Sequence, residues 1–328
     1  MGGALIVVGS YNQDHVWSTD ALPAPGATRL GRYGGGPGGK GFNQAVAAAR
    51  AGARTVFIAA LGDDAAAAQA RALAAADGID LREDVHADLP SGAAGIFVDA
   101  QGRNVIVVAA GANEALSPAF VAAQGDAFRG AAVVLAQLEV APAAVRHALA
   151  LGRAAGAITL LNPAPANAVT TEALLALADL LTPNETEFAA LLERHAGLTI
   201  APEAVAALAD GTLHHHCRRI ARTATMVITL GAGGVFVSHP DQNRRGDDDA
   251  HYRLACEPVQ VLDTTGAGDA FSGALAAALA AKPDGVFGAA VRFANRYAAL
   301  STEHRGAALA MPRLDPRAAC AAPWIPGT

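Results

Sequence analysis

Residues 263–269 read DTTGAGD and run from the strand-like VQVL into the helix-favouring AFSGALAAAL. Gly266 and Gly268 let successive backbone N–H groups turn toward one point, at the positive end of a helix dipole. The pattern predicts an anion hole with a carboxylate, Asp269, beside it. An Asp in this place also serves as a helix cap. A carboxylate cannot itself hold a phosphate. The chemistry that suits the pair is removal of a proton from a hydroxyl attacking that phosphate.

A second glycine-rich stretch, GGGPGGKGFNQ at 34–44, fits two phosphate-binding patterns at once. Gly34, Gly39 and Lys40 match G-x-x-x-x-G-K, but Gly41 stands where a P-loop needs Ser or Thr. Gly36, Gly38 and Gly41 match G-x-G-x-x-G, with Asp63 and Asp64 where a ribose-binding acid would sit. Both patterns need a strand leading directly into the loop, and RLGRYG does not read as one. The stretch is then a flexible loop or a place of close backbone approach to a polar ligand, with Lys40 and Asn43 donating hydrogen bonds from a helix start. The His214–His216 run does not read as a metal site. Successive helical residues point about 100° apart, so the three cannot chelate together, and an exposed helix face is expected. The polar, turn-rich segment His239–Tyr252 reads as a solvated hairpin tip, its charge run Asp247–Asp249 included.

The elements that must position these residues follow an alternation. Strand-like runs lie at 4–8, 55–60, 133–138, 157–161, 177–181, 226–230 and 235–238. Helix candidates lie at 43–51, 64–76, 142–155, 171–176, 185–195, 202–222, 269–281 and 286–301. Alternating β and α elements predict a parallel sheet covered by helices on both faces, within a single domain. The runs 95–99 and 105–108, joined by AQGRN, break the alternation and read as a β-hairpin. With an extended piece near 16–30 it would form a small antiparallel sheet, a lid built from about 12–33 and 91–110.

Composition bounds the partners. The chain has 328 residues, 24 Lys plus Arg against 30 Asp plus Glu, and a net charge of −6. Charged residues are 16% and hydrophobic ones 52%, which excludes disorder and a basic nucleic-acid surface. Apolar runs stay short of the roughly 18 residues of a spanning helix, so no membrane is expected. MGGALIVVGS has no basic flank and passes straight into a strand, so no signal peptide is read. Cys217, Cys256 and Cys320 are far apart, as suits a reducing, cytoplasmic setting.

Taken in order, the motifs resemble the PfkB carbohydrate kinase family, in its ribokinase branch, over nearly the whole chain. They are GSYNQDH (9–15), GGKGFNQAVAAARAGA (38–53), FIAALGDD (57–64), GAN (111–113), QLE (137–139), LNPAPA (161–166), TPNETE (182–187), ITLGAGG (228–234) and DTTGAGD. The resemblance implies an α/β, ribokinase-like three-layer sandwich with a β-sheet lid. It implies ATP-dependent phosphorylation of D-ribose to ribose 5-phosphate. Alternatives are a sibling kinase for deoxyribose, another sugar or a nucleoside, and a non-catalytic sugar-binding regulator.

The resemblance also distributes roles. Asp269 is the implied base, and the Gly266, Ala267 and Gly268 amides stabilise the transferred phosphoryl group. Asn12, Asp14, Gly39, Lys40, Asn43 and Glu139 would bind the sugar hydroxyls. Asn184 and Glu187 would help hold Mg2+ and the phosphates, partly through water, while helix capping is their other role. Thr229, Gly231, Gly234 and Asn295 would surround the nucleotide. A K+ ion is implied between Asp263 and Thr265 on one side and Ser301, His304, Gly306 and Ala310 on the other. Phe42 stands where relatives often carry a small residue, beside the expected sugar entrance. The small sheet, with an open edge, implies a homodimer.

Overall fold

Strands apolar on both faces need cover on both faces, and the computed structural model, which describes residues 3–314, provides it. In chain order the strands are β1 (Ala4–Val8), β2 (Asn12–Ser18), β3 (Arg32–Gly38), β4 (Thr55–Gly62), β5 (Asp80–His86), β6 (Gly92–Val98), β7 (Asn104–Ala109), β8 (Ala131–Ala136), β9 (Ile158–Leu161), β10 (Leu180–Leu181), β11 (Thr225–Thr229), β12 (Val235–Ser238) and β13 (His251–Leu254). Nine of them form one sheet in the order β13-β12-β11-β10-β9-β8-β1-β4-β5. Pairing is parallel from β5 through β11 and antiparallel at β12 and β13.

The alternation of side chains along a strand divides the core in two. Leu5 and Val7 face a cluster with residues of helices Lys40–Arg50, Ala65–Ala76, Ala267–Ala281 and Phe287–Ser301. Ile6 and Val8 face the other, with helices Pro142–Ala154, Glu185–Ala196 and Asp210–Ile220. The result is the expected three-layer arrangement. Because the parallel strands all end at one edge, the segments after β1, β8, β9, β10 and β11 converge there. That edge is where open α/β sheets place ligands.

The remaining strands make a separate four-stranded sheet, β3-β2-β6-β7. β6 and β7 are the expected hairpin. The glycine-rich stretch, read from sequence as a loop, contributes β3, which pairs antiparallel with β2 from Asn12↔Gly38 to Ser18↔Arg32. Two of its glycines are required by crowding: a Cβ at Gly35 would overlap the Asp14 carbonyl, and one at Gly38 the Asp14 carboxylate, while Gly34 has open space beside it. Since β3 belongs to the small sheet and β4 to the large one, the strand does not make the βαβ unit that the dinucleotide pattern needs.

Other expectations change in detail. The helix expected over 202–222 is two, Pro202–Val205 and Asp210–Ile220. The polar 239–252 segment is only partly solvated. Buried His239 lies with Nε2 3.0 Å from Asp247 Oδ2, and Asp247 Oδ1 accepts from Gly288 N–H at 2.9 Å, at the start of helix Phe287–Ser301. His214 is not a free surface residue either. It meets Ser238 Oγ at 2.8 Å and stacks on His251 at 4.5 Å, while His215 is exposed. Phe42 turns into the core against Tyr11 and Phe57, at 5.2 and 5.6 Å between centroids, away from any entrance. Cys217 is buried and Cys256 half-buried, both free; Cys320 lies outside the described residues.

Candidate active site

Gly266 caps the alanine-rich helix Ala267–Ala281 in the left-handed conformation, φ 76°, which glycine adopts without strain. The turn leaves the N–H groups of Gly266 and Gly268 without a partner among the described residues, while that of Ala267 donates to the Thr264 carbonyl at 3.2 Å. Asp269, in the first turn, is buried. Asn43 Nδ2 donates to one of its oxygens at 2.9 Å and Gln44 Nε2 to the other at 2.8 Å. Burial lifts the Asp269 carboxyl above its ordinary range, against the pull of Lys40 and of the two amides.

Those amides are themselves held. Gln44 Nε2 also reaches Asn162 Oδ1 at 3.1 Å, and Gln137 Nε2 donates to Gln44 Oε1. Asn162 Nδ2 in turn donates to the Thr182 carbonyl at 2.7 Å. A buried amide relay therefore fixes the carboxylate from the ends of β8, β9 and β10. The linked bonds favour one geometry, although Gln137 Oε1 is left buried with no partner among the described residues.

On the other side, Gly39 has φ 88° and turns β3 into helix Lys40–Arg50. Glu139 Oε2 accepts from Ser10 Oγ at 2.6 Å and from the Lys40 N–H at 3.0 Å. Asn12 Oδ1 accepts from Asn113 Nδ2 at 2.9 Å. Asn43 Oδ1 is buried with no partner among the described residues, an acceptor that a ligand hydroxyl can satisfy. Burial, together with Glu139 and Asp269, pushes the Asp14 carboxyl up to about 7, against Lys40. Burial by itself would lower Lys40, yet Asp269, Glu139, Glu187 and Asp14 outweigh it and raise it. Lys40 is the cation among four carboxylates.

A cleft of about 130 Å³ joins Lys40 to the glycine turn, whereas Asn12, Asp14, Gly39, Asn43 and Glu139 do not line it. It is lined by Lys40, Asn162, Thr182, Asn184, Glu187, Thr229, Thr264 and the turn from Gly266 to Asp269. Asn184 and Glu187 form a reciprocal capping box, each backbone N–H held by the other's side chain at 2.8–2.9 Å. Helix capping is the role the geometry gives, and it engages the Asn184 side-chain oxygen and Glu187 Oε2. Glu187 Oε1 takes no bond among the described residues and is a hard donor of the kind that suits a hydrated magnesium ion. Gly231 and Gly234 flank a turn beyond Thr229, and Asn295 Nδ2 donates to the Ala255 carbonyl at 2.7 Å; none of these three lines the cleft.

The residues expected around a monovalent cation lie along two joined loops. Asp263 accepts from Thr265 N–H and Oγ with one oxygen, at 2.9 and 2.6 Å, and from Gly306 N–H with the other, at 3.0 Å. Its carboxylate is therefore engaged in tying the loops together. Ser301 Oγ bonds the Ala298 carbonyl, His304 is exposed, and Ala310 is buried in a short turn. Backbone carbonyls are the donors this region has to offer.

Residues 4–314 match the pfkB family carbohydrate kinase pattern. The chain belongs to the pfkB carbohydrate kinase family. It is 37% identical over 314 residues to a ribokinase of Haemophilus influenzae, with 95% of this chain and 96% of that one covered. A mouse ribokinase is 34% identical, covering 92% and 90%. A deoxyribokinase of Salmonella typhi is 31% identical, covering 95% and 96%. A solved structure, the Arabidopsis thaliana ribokinase complexed with ribose and ATP, superposes with a TM-score of 0.81 at 27% identity over 98% of both chains. This pfkB chain is accordingly a sugar kinase of ribokinase type, a phosphotransferase with an alcohol acceptor.

Sequence reasoning missed the amide relay of this pfkB site. Gln44, Gln137, Asn162 and Thr182 each sit inside a motif already noted. Only Gln44 meets Asp269 directly and the other three are linked to it through Gln44, a convergence that a linear reading lacks.

Proposed function

We propose that this enzyme phosphorylates D-ribose at its primary hydroxyl with ATP as donor, Asp269 acting as general base. One observation carries the reading. A buried carboxylate with both oxygens held by amides stands beside two unpartnered backbone N–H groups at a helix start. A base must be aimed at one hydroxyl, and the N–H groups are aimed where negative charge develops. With its proton affinity lifted by burial, Asp269 is suited to take the proton as the hydroxyl oxygen attacks in line.

Asn12, Asp14, Gly39, Lys40, Asn43 and Glu139 bind the sugar, in agreement with the unpaired Asn43 Oδ1. Thr229, Gly231, Gly234 and Asn295 surround the nucleotide. Asn184 and Glu187 would hold magnesium through water, which when bound would offset phosphate charge. A potassium ion would sit against the carbonyls of the 263–265 and 301–310 loops. Since Ala310 offers no hydroxyl, activation needs high salt and Ala310→Ser lowers that need. Equal rates in potassium and in a bulky organic cation at matched ionic strength refute that site. The small sheet acts as lid and dimer interface, and the enzyme works in the cytosol, where fractionation should find it.

The deciding experiment is ADP release across pentoses, deoxyribose, ketohexoses and nucleosides. D-ribose should have the highest kcat/KM. The similarity to a deoxyribokinase favours deoxyribose as the second reading. A preference for deoxyribose or a nucleoside overturns the first.

A further inference from the structure

Helix Lys40–Arg50 ends on a residue with no part in the steps above. The Arg50 side chain is 8% exposed, and its Nε lies 3.0 Å from Oδ2 of the fully buried Asp77 carboxylate. Its Nη1 lies within bonding distance of three backbone carbonyls, those of Ala308 at 3.4 Å, Leu309 at 3.2 Å and Met311 at 2.8 Å. These belong to a single turn, Ala308–Ala310, and its exit. The last carbonyls of such a turn have no helical N–H to meet, and Pro312 just beyond offers none. The fork of a guanidinium serves several acceptors in fixed directions, as a lysine ammonium cannot. The segment is fastened further by Leu314 N–H to the Arg50 carbonyl at 3.1 Å, by Tyr297 hydroxyl to the Pro312 carbonyl at 2.7 Å, and by Arg313 on Asp77.

The opposite side of this turn meets the site. A Cβ at Gly266 would stand 3.3 Å from Ala307 Cα and 3.4 Å from Met311 Cε, so the turn backs directly on the glycine that opens the anion hole. Leu309 reaches the other wall, where a Cβ at Gly36 in β3 would lie 3.6 Å from its Cδ1. One turn thus touches both the loop before Asp269 and the strand leading to Lys40. None of the Arg50 side-chain hydrogen bonds reaches a residue that lines the cleft.

We propose that Arg50 is a positioning residue for phosphoryl transfer. By gathering the Ala308, Leu309 and Met311 carbonyls it presses the 307–311 turn against Gly266 and fixes the aim of the Gly266 and Gly268 amides. The proposal rests on the reading of those amides as the anion hole.

The test compares full-length Arg50→Gln, Arg50→Lys and Leu149→Ala with the parent. Leu149 is buried in the opposite core layer and controls for lost stability. Displacing aligned groups without removing them costs up to about 10²-fold, so kcat for D-ribose should fall by about 10–100-fold in both Arg50 variants. KM for ribose and for ATP should stay within about threefold, because binding groups are untouched. Leu149→Ala should lower the melting temperature comparably and keep the parent kcat. Should Arg50→Gln fail to fold, Arg50→Lys, which retains the charge opposite Asp77, carries the comparison. A folded Arg50 variant with kcat within about twofold of the parent overturns the proposal, as does an equal loss of kcat in Leu149→Ala. If the parent itself shows no sugar-dependent turnover, the underlying reading fails, and the proposal with it.

Discussion

In the nine-stranded sheet, every residue of β1 and β4 is buried. In the four-stranded sheet, β7 leaves Val105, Ile106, Val107 and Val108 between 50% and 66% exposed. The outer part of that sheet instead shows stacked rings, Trp17 on Phe97 at 5.1 Å and tilted toward Tyr33 at 5.4 Å. Burial on both faces fixes register in the first sheet, because a one-residue slip would turn every side chain over. The second is held by its ladders, its crowded glycines and a few ring contacts. Asp269, the proposed base, stands on a helix packed against the first, while Asn12 and Asp14, proposed to face the sugar, belong to the second. On that reading, chemistry falls to the rigid sheet and capture to the lighter one.

The sharpest way to break this division is Asp269→Asn. It should lower kcat by about 10²–10⁴-fold while calorimetry finds ribose and ATP binding nearly intact. Turnover within about tenfold of the parent would show that the rigid sheet does not hold the base. On the lighter sheet, Asp14→Ala should raise KM for ribose by about 10–100-fold, the scale of lost hydrogen bonds to a charged acceptor, with KM for ATP unchanged. Lys40→Ala, at the junction of the sheets, should act in the same direction. Lost nucleotide binding with unchanged ribose binding would reverse the assignment.

A smaller effect is expected from pH. With its carboxyl pushed up to about 7, Asp14 carries a proton at lower pH and becomes a full acceptor above that value. Between about pH 6 and pH 8, kcat/KM for ribose should therefore rise by up to about tenfold, and Asp14→Asn should flatten that rise. An unchanged profile in Asp14→Asn would assign the titration elsewhere. Last, Val107→Lys should convert a dimer to monomers in sedimentation, since charge on an open edge blocks pairing. A parent that sediments as a monomer removes the basis for that expectation.

The same contrast governs what could be read in the chain. β1, β4, β8 and β12 were legible because burial makes their sequences uniformly apolar. β5 was not. DLREDVH lies at the sheet edge, where polar side chains are tolerated and the apolar signal vanishes. β3 was hidden because Gly35 and Gly38 answer to Asp14 across the ladder, a constraint no local window contains. Of the site, the glycine turn and Asp269 announced themselves by local spacing. Gln44, Gln137 and Asn162 did not, because an amide says nothing about which distant oxygen it will meet. The 239–252 segment looked like a solvated hairpin tip for a similar reason. Its buried pair, His239 with Asp247, is joined by the Gly288 N–H of helix Phe287–Ser301, far along the chain.

The bond from Asn43 to Asp269 spans 226 positions of the chain. During synthesis the amides of the early helix therefore have no carboxylate to meet until Asp269 itself has left the ribosome. Contacts this far apart in sequence form late and slowly. A chain ending before the last two long helices would carry every residue proposed to bind the sugar, but neither the proposed base nor the apolar faces that seat helix Lys40–Arg50. Capture and catalysis are therefore expected to arrive together, in a single late event.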